Sequence, residues 1–168
     1  MELKTENVYL IGFMGSGKST VGLDLASKLN YHFLDLDEEI VKKSGMSIPE
    51  IFAQQGEHGF RKKEKATLME LADQRSIIAT GGGIVETSGT LSWMNKNGVS
   101  VYLHAPFQVL YERIQGDINR PLSGQGREAL VARYEKRIPL YDGADYRIET
   151  EGKGIEKIVL EIHQLLSS

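Results

Sequence analysis

Short continuous apolar runs recur along the chain, separated by stretches in which apolar residues return every three or four positions. VYLIG (8–12), FLDL (33–36), SIIAT (76–80), VSVYLHA (99–105) and YRIET (146–150) are short and bounded by polar or glycine-containing sequence, and they read as five strands. After the first run, Val21, Leu25, Ala26 and Leu29 fall on one face of a helix over 18–29. Polar, helix-forming sequence follows the second run over 37–43. SIPEIFAQQG (47–56) predicts a short helix with Ser47 as its cap and Pro49 in its first turn, and 57–73 a longer one. A closing helix over 154–166 turns Ile155, Ile158, Val159, Ile162 and Leu166 inward. Strands alternating with helices predict a parallel sheet covered on both faces, a three-layer α/β/α fold in one domain spanning 1–168. One irregular segment, QGDINRPLSGQGR (115–127), is long enough to suggest a functional loop.

Composition narrows the function classes. The 168 residues are 40% hydrophobic and 26% charged, as in ordinary globular proteins, and the net charge of −3 argues against nucleic acid as a partner. Arg61, Lys62, Lys63 and Lys65 cluster, either as a solvated helix face or as part of a site for a small anion. There are no cysteines, which excludes thiol nucleophiles and thiolate metal sites and fits a reducing compartment. The opening MELKTEN is polar, and no stretch approaches the roughly 20 apolar residues of a membrane span. The expectation is a cytoplasmic chain with no membrane partner.

The stretch after the first strand carries the clearest chemistry. Gly12-Phe13-Met14-Gly15-Ser16-Gly17-Lys18-Ser19 fits G-x-x-x-x-G-K-S/T at every fixed position, between a predicted strand and a predicted helix. Gly12, Gly15 and Gly17 let the backbone wrap closely and aim N–H groups at phosphate oxygens, with Ser16 inside the same turn. The helix N-terminus adds the positive end of its dipole. Lys18 is placed to reach the β- and γ-phosphates of ATP, and the Ser19 hydroxyl, with Thr20 beside it, to ligate Mg²⁺. A phosphate loop serves ATPases, GTPase switches and small-molecule kinases alike, so the other strand ends must decide.

Asp35 and Asp37 flank Leu36 at the end of the second predicted strand, where alternation puts both on one face. That face opens on the crevice where α/β sheets bind ligands. One carboxylate suits a metal's water shell and the other an attacking hydroxyl, although capping of the next helix also explains Asp37. The third strand ends in Gly81-Gly82-Gly83 with no carboxylate, so the metal partner must lie elsewhere, which favours Asp35. The triple glycine lets a substrate lie against bare backbone. Glu57, Arg61 and Glu64 at i, i+4 and i+7 share a helical face, and Arg133 and Arg137 repeat the i, i+4 spacing. Arginine suits bidentate capture of a carboxylate or phosphate.

Together, GFMGSGKST, FLDLDEEI, SIPEIFAQQGEHGFRKKE, TGGG, NRPLSG and RYEKRIPLY resemble shikimate kinase, in that family's order and spacing from about residue 8 to about residue 150. The resemblance implies a P-loop kinase of the nucleoside monophosphate kinase type, with a five-stranded parallel sheet in the order 2-3-1-4-5, acting as a monomer. It implies transfer of the ATP γ-phosphoryl group to the 3-hydroxyl of shikimate, on the route to chorismate and the aromatic amino acids. Carried over by position, Lys18, Asp37 and Arg120 are catalytic, with Asp37 holding the shikimate hydroxyls and the likeliest base. Arg61 and Arg137 clamp the shikimate carboxylate, Glu64 supports Arg61, and Gly81, Gly82 and Gly83 lie beside the ring. An acceptor-binding helical segment covers about 37–64. Arg120 belongs to a mobile lid over about 115–127, Arg113 stacks on the adenine, and Asp35 holds Mg²⁺ through water. The chain departs from the pattern at Ala79, where many members carry serine, at Ser123 after Arg-Pro-Leu, and at ETEGKG (149–154), which lacks the proline that often covers the adenine. Gluconate kinase shares the loop, but there a histidine-proline pair follows the second-strand carboxylate, whereas Glu38-Glu39-Ile40 follows Asp37. A non-catalytic nucleotide-binding switch would have lost the base or the clamp, and this chain keeps both.

Overall fold

The computed structural model describes residues 6–72, 75–115 and 126–168. The elements run β1 (Asn7–Ile11), α1 (Lys18–Leu29), β2 (His32–Asp35), α2 (Leu36–Ser44), α3 (Ile48–Glu70), β3 (Ser76–Ala79), a 3₁₀ turn (Ile84–Glu86) and α4 (Thr90–Asn97). They continue with β4 (Gly98–His104), α5 (Phe107–Gln115), α6 (Arg127–Tyr141), β5 (Tyr146–Glu149) and α7 (Ile155–Leu166). All five strands pair in parallel in the order β2-β3-β1-β4-β5. This is the three-layer architecture that the sequence pattern predicts, in the strand order that the resemblance implies.

β1 shows why the sheet is buried on both sides. Val8 and Leu10 point into a core shared with Val21, Leu25, Ile158 and Ile162, while Tyr9 and Ile11 point into an opposite core with Leu36, Ile51, Leu68 and Tyr141. Each such side chain gains about 1.5–3 kcal/mol from leaving water, so a central strand apolar on both faces is held in register from two sides. α1 lies close against β2 because Gly22 has no side chain. A methyl group there would stand 2.6 Å from Phe33 Cε2 and 3.2 Å from Leu10 Cδ1.

Two readings of local structure need revision. The helices expected over 47–56 and 57–73 form one element, α3, divided at Gly56, whose φ of 71° and ψ of −178° are not helical. Ser47 caps it by accepting from the Glu50 N–H at 3.3 Å. The second correction concerns Asp35 and Asp37. They do not share a strand face, because β2 ends at Asp35 and Asp37 already sits in the first turn of α2. Asp35 caps that helix, its Oδ1 accepting from the Glu38 N–H at 3.2 Å.

The carboxyl ends of parallel strands all meet one edge of the sheet. Here that edge gathers the loop after β1, the β2–α2 junction and the glycines after β3. Thr80 fixes the last of these, donating from its N–H and its hydroxyl to the Leu10 carbonyl at 3.1 and 2.9 Å.

Candidate active site

Gly12 through Gly17 wrap over the end of β1 in a turn that only glycine permits at its key points. Gly15 and Gly17 have φ of 82° and 94°, in the left-handed region. A methyl group on Gly12 would stand 2.7 Å from the Leu103 carbonyl oxygen and 2.8 Å from Ser16 Oγ. Ser16 is buried, and its hydroxyl has no hydrogen-bond partner among the described residues. Lys18 opens α1 and folds its ammonium back over the loop, donating to the Gly12 carbonyl and to the Phe13 carbonyl at 3.2 Å. Ser19 and Thr20 stand exposed in the first turn of α1. Ser19 Oγ donates to Asp35 Oδ2 at 3.4 Å, so the hydroxyl and the carboxylate expected at the metal are already neighbours. Arg113 reaches from α5 to the far side of the loop, donating to the Gly15 carbonyl at 3.2 Å and to Thr150 Oγ1 at 3.4 Å. Arg120, and 116–125 of the segment expected as a lid, lie outside the described residues.

Beside the loop, two acids meet over bare backbone. A methyl group on Gly81 would lie 3.2 Å from Glu64 Oε2 and 3.5 Å from Asp37 Oδ1. Both oxygens are buried and have no hydrogen-bond partner among the described residues. Such atoms are costly to leave unmade, and hydroxyls on a ligand would satisfy them. Burial raises the Asp37 carboxyl above its ordinary value and nearby Asp35 adds to this, against the opposing pull of Lys18 and Arg61. Burial likewise raises Glu64 to about 7 although Arg61 draws it down.

Next along the glycine turn, two cations converge. A methyl group on Gly83 would stand on Arg61 Nη2 and 2.8 Å from Arg137 Nη2, while one on Gly82 would lie 3.1 Å from Arg137 Nη1. Gly82 also faces the phosphate loop, 3.5 Å from the Gly12 carbonyl oxygen and 3.6 Å from the Met14 nitrogen by the same measure. Arg61 Nη1 donates to Glu64 Oε1 at 2.9 Å, the support that the family resemblance implies. Arg61, Arg133 and Arg137 line one cavity of about 540 Å³ with Phe52. The sequence-predicted site residues within the described chain therefore meet at one edge of the sheet.

Two participants escaped the sequence reading. Tyr141 donates its hydroxyl to the Gly82 carbonyl and so pins the glycine turn from α6. Glu86 binds Arg137 through Oε2, at 3.0 Å from Nε and 2.9 Å from Nη2, and binds Lys136 through Oε1 at 2.8 Å. The only sequence signal for Glu86 is a carboxylate three residues beyond the glycine run, and spacing alone does not connect it to α6.

With a phosphate loop, two buried acids and paired guanidinium groups around three glycines, the remaining question is ancestry. The family description Shikimate kinase matches residues 14–167. The chain belongs to the shikimate kinase family. Shikimate kinase of Persephonella marina is 44% identical over 157 residues, covering 93% of this chain and 96% of that protein. The structure of shikimate kinase from Acinetobacter baumannii in complex with shikimate aligns with a TM-score of 0.86 at 39% identity, over 96% of this chain and 93% of that one. A gluconokinase from Sinorhizobium meliloti aligns at a TM-score of 0.64 but is only 16% identical, over 97% and 92% of the two chains, so it shares the fold alone. Family membership makes this chain a kinase, and its activity is phosphoryl transfer from ATP to a hydroxyl of shikimate.

Proposed function

We propose that this chain seats shikimate over Gly81–Gly83, with its ring hydroxyls on Asp37 and Glu64 and its carboxylate on Arg61 and Arg137. The observation that carries this reading is the meeting of two unpartnered, buried carboxylate oxygens with two guanidinium groups along one glycine turn. A polyhydroxylated carboxylic acid satisfies both halves, its hydroxyls donating to the acids and its carboxylate accepting from the arginines.

In this arrangement the 3-hydroxyl oxygen attacks the γ-phosphorus, the bond from that phosphorus to the β–γ bridging oxygen breaks, and ADP leaves. Asp37 orients the hydroxyl and receives its proton, and a raised pKa makes a carboxylate the better proton acceptor. Lys18 leaves the loop carbonyls for the β- and γ-phosphates, and the loop N–H groups hold the oxygens. Placing donor and acceptor in line supplies most of the acceleration, since phosphoryl transfer asks little covalent chemistry of the protein. Arg113, between the loop and Thr150, flanks the adenine.

Ser19 and Asp35 suit Mg²⁺, an ion that takes one or two protein oxygens and completes its octahedron with water and phosphate. Bound there, it would neutralise charge on the phosphate oxygens. We further propose one kinase domain with its acceptor-binding segment over about 37–64, acting as a monomer in the cytoplasm, where ATP is available. The scatter of exposed large apolar residues over several helices favours the monomer, and among the described residues no helix is long and apolar enough to cross a membrane.

Coupled ADP release with Mg²⁺ and ATP, comparing shikimate, gluconate, AMP and no acceptor, tests the assignment. Release with shikimate alone is expected. Release with gluconate or AMP instead would break the acceptor assignment and keep the phosphate-loop chemistry. Asp37→Asn is expected to lower kcat about 10²–10⁴-fold while leaving ATP affinity near wild type.

A further inference from the structure

We propose that Glu86 is a positioning residue of the acceptor site, which bridges Arg61 and Arg137 and turns the Nη1 side of Arg137 toward the acceptor carboxylate. The inference rests on the clamp reading above and adds a residue to it.

The backbone beneath Glu86 is fixed. Its N–H donates to the Gly83 carbonyl at 3.0 Å, and the turn that carries it buries Ile84 and Val85. The Thr90 hydroxyl lies 2.7 and 2.8 Å from the Ile84 and Thr87 carbonyl oxygens and shares its one proton between them, which closes the turn from the other side. Glu86 is thus held directly behind the glycine whose open face receives both guanidinium groups.

Its carboxylate gathers cations from two helices. Oε2 accepts from Arg137 Nε and Nη2 and lies 3.9 Å from Arg61 Nη2, while Oε1 accepts from Lys136. The Glu86 and Arg137 side chains are 15% and 8% exposed, so this pair is shielded, whereas Lys136 is 70% exposed and its share is screened. Burial pushes the Glu86 carboxyl up, but Lys136 and Arg137 outweigh it and hold the group below its ordinary value, ionised at neutral pH.

The geometry of the guanidinium explains what this achieves. A guanidinium offers five N–H donors in a rigid plane. Glu86 takes those on the Nε side of Arg137, Tyr141 also hydrogen-bonds the guanidinium, and Nη1 faces Gly82. The guanidinium lies over the face of the Phe13 ring, with Cζ 5.7 Å from the ring centre, a cation–π contact that favours this placement. Without Glu86, Arg61 and Arg137 would meet over Gly83 as two like charges and move apart. Displacements of about 1 Å at such a clamp cost on the order of 10²-fold in rate.

The test is steady-state kinetics of Glu86→Ala, Glu86→Gln, Lys136→Ala, Arg137→Ala and the Glu86→Ala/Arg137→Ala double variant, each with its acceptor and ATP constants. Glu86→Ala is expected to raise the KM for shikimate on the order of tenfold or more, with the KM for ATP within about twofold of wild type. Glu86→Gln keeps an accepting oxygen and should fall between, and it carries the test if the alanine variant does not fold. Lys136→Ala should leave the shikimate KM within about twofold of wild type, because its contact is screened. The double variant should be no worse than Arg137→Ala, since Glu86 acts through that arginine. A wild-type or lowered shikimate KM in every Glu86 variant that folds, with Arg137→Ala still impaired, would overturn the proposal. An unimpaired Arg137→Ala would instead overturn the clamp reading itself.

Discussion

Replacing Glu64 by glutamine isolates the cost of keeping a carboxylate in the floor of the acceptor site. The Glu64 side chain is 1% exposed, and burial raises its pKa from 4.5 to about 7 in spite of the ion pair with Arg61. Within that window the folded chain holds a proton that the unfolded chain has released. Stability therefore falls as pH rises from 4.5 to about 7 and levels off above it. The gap between 4.5 and about 7, at about 1.36 kcal/mol per unit, amounts to about 3 kcal/mol. Glutamine preserves the shape and an oxygen for Arg61 but does not titrate. Urea unfolding followed through Trp93, the only tryptophan, would give the free energy of both chains from pH 4.5 to 8 at constant ionic strength. The stability of Glu64→Gln relative to wild type should climb by about 3 kcal/mol across the window and then stay constant. A difference that is flat from pH 4.5 to 8, or that falls, would show that burial does not dominate at Glu64 and would refute the reasoning.

Three further outcomes follow from distances at single positions. Gly83→Ala places a methyl group where Arg61 Nη2 and Arg137 Nη2 stand, so it should raise the shikimate KM about tenfold or more while leaving the ATP constant and the melting temperature near wild type. Gly22→Ala drives a methyl group to 2.6 Å from Phe33 Cε2 and should cost about 1–3 kcal/mol in chemical denaturation, without changing the shikimate KM. Ser19→Ala removes the hydroxyl that bonds Asp35 Oδ2, and a Mg²⁺ titration of activity should show a higher half-saturating concentration at unchanged shikimate KM.

The parts of the fold legible in the sequence are those whose apolar pattern is undisturbed. β1 is apolar over Val8–Ile11 and β4 over Val101–Leu103 because both faces are buried, and α1 and α7 carry one clean stripe each. α6 gave no such stripe, and its structure explains why. Its buried positions are Leu130, Tyr134, Arg137 and Tyr141, so a functional cation interrupts the apolar face and Pro139 sits inside the helix. The expectation of alternation through Asp35 and Asp37 failed for a related reason. A helix began where the strand pattern still seemed to run, because Asp35 was spent as its cap.

The amino-acid sequence alone determined what depends on neighbours along the chain. The phosphate loop is legible because its glycines, Lys18 and Ser19 act within eight consecutive residues, and the Arg61–Glu64 pair because a helix brings residues three apart together. Tertiary structure alone decided which groups from separate elements share a point in space. Glu64 and Asp37 turn unpartnered oxygens over Gly81 only because α2 and α3 meet the end of β3. Glu86 and Arg137 are 51 residues apart and meet only through the packing of α6 against the 3₁₀ turn. Local spacing fixes chemistry within a turn or two of backbone, whereas a charge network between helices is set by where the buried core holds those helices, and no short-range pattern encodes that.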